Sequence, residues 1–247
     1  MFHYEDGMLI KLSRDTRSSE SAAMEYVRKH APSVPVPEVY FCDFTNPQYG
    51  LIFMEEVPGQ TLERVWPGLN SNQKDQACHD IWDIIMALRQ IPRPEHIPLE
   101  KSLYTTIDGS PLYPHGDLIW SEMAPLRKES HNTDDAFRDL ILARYRENHG
   151  TDENVKRNFP RSKTAVFTHG DIHPRNLMAT ADGRVTSLLD FEYAGFMPDY
   201  WEDLGMFLQV FEWDQDWADN MMRTKPSGWD FDATRALCRV AKRFMLY

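Results

Sequence analysis

The pattern of apolar and polar positions divides the chain near residue 58. Before that point, Met8-Leu9-Ile10 is a short apolar run that ends in Lys11 and predicts a strand. Ser18 or Ser19 can cap a helix reaching about His30, with Ala23, Tyr26 and Val27 at helical spacing. Pro32, Pro35 and Pro37 then exclude helix and favour extended chain. Val39 to Phe44 and Leu51 to Met54 predict two strands around the Asn46-Pro47 turn. Pro58-Gly59 breaks the pattern, so the expected lobes are residues 1–57 and 58–247.

The second part is mostly helical in pattern. Ser71 is the expected cap of a helix with Ala77, Ile81, Ile84, Ile85 and Leu88 on one face, stopped by Pro92. Residues 93–131 are rich in proline and predict no clear element. Further helices are expected from Asp134 to about Asn148, with Gly150 beyond it, from Tyr200 to Phe211 and from Asp232 to Leu246. The strands expected in this half are Ala165 to Thr168, Leu177 to Thr180 and Arg184 to Leu189. A short β-rich part followed by a larger helical part makes the fold class α+β.

Composition narrows the choice of function. A chain of 247 residues with 42% hydrophobic content can bury a core and hold a cleft between two lobes. Lys+Arg 27 against Asp+Glu 38 gives −11, which disfavours a nucleic-acid partner. No apolar run has membrane-spanning length, and MFHYEDGMLI lacks the basic start of a signal peptide. Cys42, Cys78 and Cys238 are few, odd in number and far apart, so reduced thiols and a cytoplasmic location are expected.

Chemistry concentrates in FTHGDIHPRNLMATADGRVTSLLDFEYAG, residues 167–195. Asp182-Gly183 predicts a two-residue hairpin turn between apolar arms. Asn176 lies six residues before Asp182 and Asp190 seven after Gly183, so the open end of the hairpin brings them near each other. Asp171 lies five residues before Asn176, in a loop held by Pro174. Three oxygen-bearing side chains at one spot suit Mg²⁺, which takes one or two carboxylates together with phosphate oxygens and water.

H-G-D-x-x-x-x-N, a strand pair and D-F-E resemble the catalytic loop and metal-binding Asp of kinases. The His-Gly-Asp form is similar to the aminoglycoside phosphotransferase and choline kinase-like branch of the protein-kinase-like fold. Met54-Glu55-Glu56-Val57-Pro58-Gly59, Trp66-Pro67 and Pro198-Asp199-Tyr200-Trp201-Glu202 add to the likeness, and resemble fungal phosphotransferase-family proteins. The resemblance implies a two-lobed fold and an ATP-dependent transfer of phosphate to a small-molecule hydroxyl. Asp171 would take the acceptor's proton, and Asn176 and Asp190 would hold Mg²⁺. Lys11 would meet the α- and β-phosphates, with Glu20 pairing to it. Backbone groups at Glu55, Glu56 and Val57 would hold the adenine edge. Positioning and charge neutralisation are the main demands of phosphoryl transfer.

The residues taken alone leave alternatives open. Lys11, taken alone, reads better as a solvated lysine at a strand end than as a phosphate contact. Spacing does not separate Glu20 from Glu25 as its partner; the resemblance selects Glu20. His169 reads as a structural histidine that fixes the loop, and His173 as loop packing, with substrate contact or metal ligation as rivals. His115-Gly116-Asp117 repeats the first three residues of the motif, but Glu122 stands where Asn is needed.

No G-x-G-x-x-G occurs, and only ten residues precede Lys11, too few for two strands and a phosphate-covering loop. The first lobe is therefore expected to be short. Either the sequence is a truncated chain, or the protein lacks part of the nucleotide clamp. The latter supports a second reading, a catalytically impaired pseudokinase or binding module. A third reading, a metal-dependent phosphohydrolase built on His169, Asp171, His173 and Asp190, leaves Lys11 without a role.

From Val185 to Met222 there is no Lys or Arg, but there are nine acids. With Trp201, Trp213 and Trp217 they suit a cationic or amine-bearing alcohol. The same composition equally suits a solvated acidic face over a tryptophan core.

Overall fold

The computed structural model describes residues 2–4, 7–97, 102–110, 112, 132–149, 153–208, 215–229, 231 and 234. Its first sheet has the order β1-β2-β4-β3, all antiparallel: β1 (Phe2–His3), β2 (Met8–Ser13), β3 (Val39–Asp43) and β4 (Gly50–Glu55). Helix α1 (Ser18–His30) lies between β2 and β3 in the chain and buries Ala23, Met24 and Val27. Ile52 and Met54, alternate residues of β4, are the buried face of that strand. The helix begins with Arg17 in the capping position, one residue before the expected serines, and no side chain caps it.

The prolines after α1 form a strap. Val34 and Val36 are buried, and the Pro35 carbonyl accepts the Leu188 N–H at 2.8 Å and the Ser187 hydroxyl at 3.3 Å. The strap thereby ties the first sheet's helix to the strand that leads to Asp190.

After Glu55 the chain leaves the first sheet. Strand β5 (Gln60–Thr61) pairs instead with β7 (Leu177–Ala179), which pairs with β8 (Val185–Leu188). Helix α2 (Leu62–Val65) and a 3₁₀ turn at Trp66–Gly68 lead to α3 (Ser71–Leu88), whose buried stripe is Ala77, Cys78, Ile81, Trp82, Ile84, Ile85 and Leu88. Its cap is Asn70 rather than Ser71. Asn70 accepts the Gln73 N–H while the Gln73 side chain accepts that of Asn70, a capping box that Ser71 could not form in this register.

Helices α4 (Asp134–His149) and α5 (Glu153–Asn158) follow, then β6 (Ala165–Thr168). Strand β9 (Gly195–Pro198) pairs with β6; it was not expected, because four fully buried residues show no alternation. Helix α6 (Trp201–Leu208) follows directly, and α7 (Gln215–Arg223) buries Trp217, Ala218 and Met221. All but Thr234 of the helix expected from Asp232 to Leu246, the end of the one expected to reach Phe211, and His115-Gly116-Asp117 lie outside the described residues.

The hairpin turn differs from the expected two-residue form. The Gly183 N–H reaches the Thr180 carbonyl at 2.9 Å and the Thr180 N–H reaches that of Arg184 at 3.0 Å, closing a three-residue loop. Gly183 has φ 88, the left-handed position of that loop type. The pairing slips by one between Met178 and Ala179 to accommodate it.

Candidate active site

The loop between β6 and β7 carries Asp171. Its fixation begins at His169, which is fully buried. Nδ1 of His169 accepts the Asp171 N–H at 3.3 Å, so Nε2 carries the proton and donates to the Leu189 carbonyl at 2.9 Å. Burial drives the imidazole pKa down, which keeps the ring in that neutral form. Both nitrogens are thereby engaged, and His169 offers no lone pair to a metal, contrary to the hydrolase reading. His173 is buried, accepts the Arg175 N–H and packs its ring 5.6 Å from that of Trp217, the packing role expected of it.

A second clamp comes from helix α6. Glu202 is buried and its two oxygens accept the N–H groups of His169 at 2.7 Å and Gly170 at 3.0 Å. Burial pushes the Glu202 carboxyl up to about 7, and the two N–H groups pull against that shift. Gly205, one turn further, lies so close that a Cβ there would stand 2.9 Å from the Gly170 carbonyl. Gly170 has φ 85, and a Cβ on it would meet the Tyr193 carbonyl at 2.9 Å. Loop, helix and the segment after Asp190 therefore touch through glycines. Sequence reasoning did not give Glu202 a role; an acid in the first turn of a helix is usually explained by the helix dipole.

Asp171 is held from both sides. Asn176 donates its Nδ2 hydrogens to Oδ2 of Asp171 at 2.7 Å and to its carbonyl at 2.9 Å. The Arg175 guanidinium donates to Oδ1 at 2.7 Å. A 3₁₀ turn, Pro174–Asn176, presents both donors, and Pro174 sets its first dihedral. With the amide nitrogen of Asn176 on Asp171, the amide oxygen is the atom that can face a cation.

The hairpin ends as the spacing requires. Leu177 pairs with Leu188, the Leu189 N–H donates to the Asn176 carbonyl at 2.8 Å, and Asp190 is the next residue. Asp190 has φ 67; it is the non-glycine residue with positive φ among the described residues. An Asp tolerates this conformation better than most, and such outliers cluster at functional sites.

Asp190 meets Lys11 across the cleft. The Lys11 ammonium donates to Asp190 Oδ1 at 2.7 Å and to Glu20 Oε1 at 2.7 Å, with Glu192 Oε2 at 3.8 Å. Glu20 is buried, whereas Glu25 is exposed on the same helix, so the structure selects Glu20 as the partner. Burial works against the Lys11 charge, but Glu20 and Asp190 outweigh it and raise its pKa. Burial pushes Glu20 up to about 7 against the pull of Lys11. Burial first, and Asp190 second, raise Glu192 as well.

The side chains of Asp190 and Asn176 thus bond different partners: Lys11 for one, Asp171 for the other. Both Asp171 and Asp190 act electrostatically on the buried His169 ring. Oxygens of Glu20, Asp190 and Glu192 lie within 4.8 Å of one another. These oxygens surround the Lys11 ammonium; the Asp190 carboxylate and the Asn176 amide oxygen are hard donors of the type Mg²⁺ takes.

At the crossing between the sheets, the Glu55 N–H donates to Glu38 and the Glu56 N–H to Gly7, both at 2.8 Å. Those two amides are engaged within the lobe, and Val57 is left as the N–H of the three that can meet a ligand. Trp201 and Trp217 are buried in the core, so they offer no exposed face to a cation; Trp213 lies outside the described residues. Of the nine acids, Glu202 and Asp203 point inward and Asp216 and Asp219 lie on the open face of α7. These four, among the described residues, do not form one acidic wall.

A strand-borne lysine paired with a helix glutamate, above a helical part that carries this loop and hairpin, defines a two-lobed α+β protein-kinase-like fold. The model of the phosphotransferase enzyme family, APH, matches residues 9–237, and the chain belongs to that family. Among solved structures, the ternary complex of a thermostable mutant of aminoglycoside phosphotransferase APH(4)-Ia with ADP and hygromycin B is similar over 96% of this chain and 79% of that one, at 14% identity and a TM-score of 0.55. The GDP and kanamycin complex of APH(2")-IIia is similar over 97% and 77%, at 14% identity and a TM-score of 0.56. At such identity the likeness is one of fold. A direct comparison with curated proteins finds no match.

Proposed function

We propose that the protein transfers the γ-phosphate of ATP to a hydroxyl of a small molecule. The observation that carries this reading is the Lys11 ammonium held at 2.7 Å by both Glu20 and Asp190, the latter 179 residues away in the chain. The cleft it faces has its Asp171 carboxylate fixed by Asn176.

Asp171 takes the proton of the acceptor hydroxyl. The new O–P bond forms at the γ-phosphorus as the bond to the β–γ bridging oxygen breaks, and ADP leaves with the electron pair. Lys11, positioned by Glu20, faces the α- and β-phosphates, and the Val57 amide meets the adenine edge. Asn176 and Asp190 would hold Mg²⁺, which supplies neutralisation of the phosphate charge. The nucleotide lobe is residues 1–57 and the catalytic and substrate lobe residues 58–247. Similar structures contain ADP with hygromycin B and GDP with kanamycin, which supports a nucleotide donor and a hydroxyl-bearing small molecule as acceptor. No described helix is long and apolar enough to cross a membrane. Cys42 and Cys78 are free thiols, which supports a cytoplasmic location.

ADP release from Mg-ATP, measured with a panel of amino alcohols and aminoglycosides, tests the reading. Release that Asp171→Asn leaves unchanged would end it. No Mg-ATP binding by a stably folded chain favours the second reading, a pseudokinase or binding module, which draws on the lack of a G-x-G-x-x-G in the sequence.

A further inference from the structure

The run from Asp171 to Asn176 holds a cation to which residue spacing alone assigns no role. Arg175 stands beside Asn176 on the same 3₁₀ turn, yet the two side chains differ in placement. Asn176 is buried beneath Asp171, while the Arg175 side chain is 34% exposed, at the open side of the carboxylate. Asn176 takes Oδ2 and Arg175 takes Oδ1, each at 2.7 Å. The more exposed of the two side chains that hold the Asp171 carboxylate is therefore a guanidinium.

The charge balance of the cleft shows why a cation is needed there. Lys11 is enclosed by Glu20 and Asp190 at 2.7 Å and by Glu192 at 3.8 Å, so its single charge already faces three carboxylates. Asp171 is a fourth acid, and with Asp190 it acts electrostatically on the buried His169 ring. A phosphoryl group that moves toward Asp171 carries its negative charge into this ring of acids. Arg175 is the cation bonded to Asp171 among the described residues, and its planar fork of N–H groups suits phosphate oxygens.

We infer that Arg175 is a catalytic residue: its guanidinium binds the γ-phosphoryl group and carries it to the hydroxyl that Asp171 deprotonates. The inference rests on the phosphotransferase reading and assigns a further group within it. Arg175 gains and loses no proton in the step; the proton goes to Asp171 and the electron pair leaves on ADP. A guanidinium that only steadied Asp171 would be indifferent to whether a γ-phosphate is present.

That difference is measurable without knowing the acceptor. Calorimetry compares Mg·AMP-PNP, which has a γ-phosphoryl group, with Mg·ADP, which lacks one, on the wild type, Arg175→Ala and Arg175→Lys. Arg175→Ala is expected to weaken Mg·AMP-PNP by roughly tenfold or more, the size of one lost charge-assisted hydrogen bond, and Mg·ADP by less than about twofold. Arg175→Lys should recover part of the loss. Unchanged Mg·ADP affinity shows that the variant is folded; should Arg175→Ala fail to fold, the Lys variant decides the matter by a smaller loss of the same γ-phosphate selectivity. Equal effects on both ligands, or none, would overturn the role of Arg175 while leaving the phosphotransferase reading intact. A wild type that binds neither nucleotide overturns that reading and the inference with it.

Discussion

Glu202 accepts the main-chain N–H of Gly170 at 3.0 Å, so a helix that begins at Trp201, well beyond the loop in the chain, fixes the loop's backbone. The same carboxylate accepts the His169 N–H. Glu202→Ala leaves two buried donors without partners, at a cost of about 1–3 kcal/mol each. The expected result is a large fall in melting temperature and a matching loss of ADP release. Glu202→Gln keeps one acceptor and should fall between the two, which thermal melts of the three proteins would show.

Gly205→Ala makes an unusual case. Within an ordinary helix this change stabilises by about 1 kcal/mol. Here the new Cβ would stand 2.9 Å from the Gly170 carbonyl, which is backbone and cannot swing away. The variant is expected to melt lower than the wild type. A melting temperature equal or higher would show that α6 does not bear on the loop.

Lys11→Met removes the cation from among three carboxylates, one of them the buried Glu20. Breaking a buried pair in this way costs about 3–5 kcal/mol. Without Lys11, the Glu20 carboxyl rises above its present value of about 7, so it takes up a proton more readily. The destabilisation should therefore be greater at pH 8 than at pH 5, where a neutral Glu20 no longer needs a counter-charge. Denaturant titrations at the two pH values measure it.

Asp203 tests a pH dependence away from the loop. Burial pushes its carboxyl from 3.8 up to about 8, with Arg89 and the Trp229 N–H pulling the other way. The folded chain holds this proton over a range in which the unfolded chain has released it. Its contribution to stability is therefore present at low pH and is lost as pH rises through that window. Asp203→Asn keeps an acceptor for Trp229 and removes the titration. Its stability should fall less steeply than that of the wild type between pH 4 and pH 8, with the relative gain greatest at pH 8. Parallel curves for the two proteins would contradict this assignment.

Local patterns foretold much of this architecture. The helix Ser18–His30 and the strand Ala165–Thr168 follow from spacing, because each has one clearly apolar face or run. The counts outward from Asp182-Gly183 placed Asn176 and Asp190 at one end of a hairpin, since pairing in a sheet transmits register over a dozen residues. The three-residue loop escaped because the same Asp-Gly serves both turn types. Strand β9 escaped because full burial erases alternation. The Glu202 clamp and the glycine contact between α6 and the loop are tertiary, and no local pattern marks them. Trp201 and Trp217 show the reverse error: an aromatic, acidic stretch suggests a ligand surface, yet both rings complete the core.

Asp171→Asn isolates the proposed base. Asn at that position keeps one acceptor oxygen, so one of the side-chain bonds from Asn176 and Arg175 is lost while the Asn176 bond to the residue-171 carbonyl remains; a thermal melt beside the Mg-ATP isotherm checks that the fold is kept. ADP release should drop by about 10²–10⁴-fold, the usual contribution of a general base. Steady-state turnover beside a binding isotherm separates the two effects.

The most direct measurement is calorimetric titration of the full chain with ATP, in Mg²⁺ and in EDTA, for the wild type and for Asp190→Ala. Wild-type binding is expected to strengthen with Mg²⁺, and in the variant Mg²⁺ should make little difference. A wild type that ignores ATP, or binds it equally well in EDTA, would contradict the proposed metal-assisted nucleotide site.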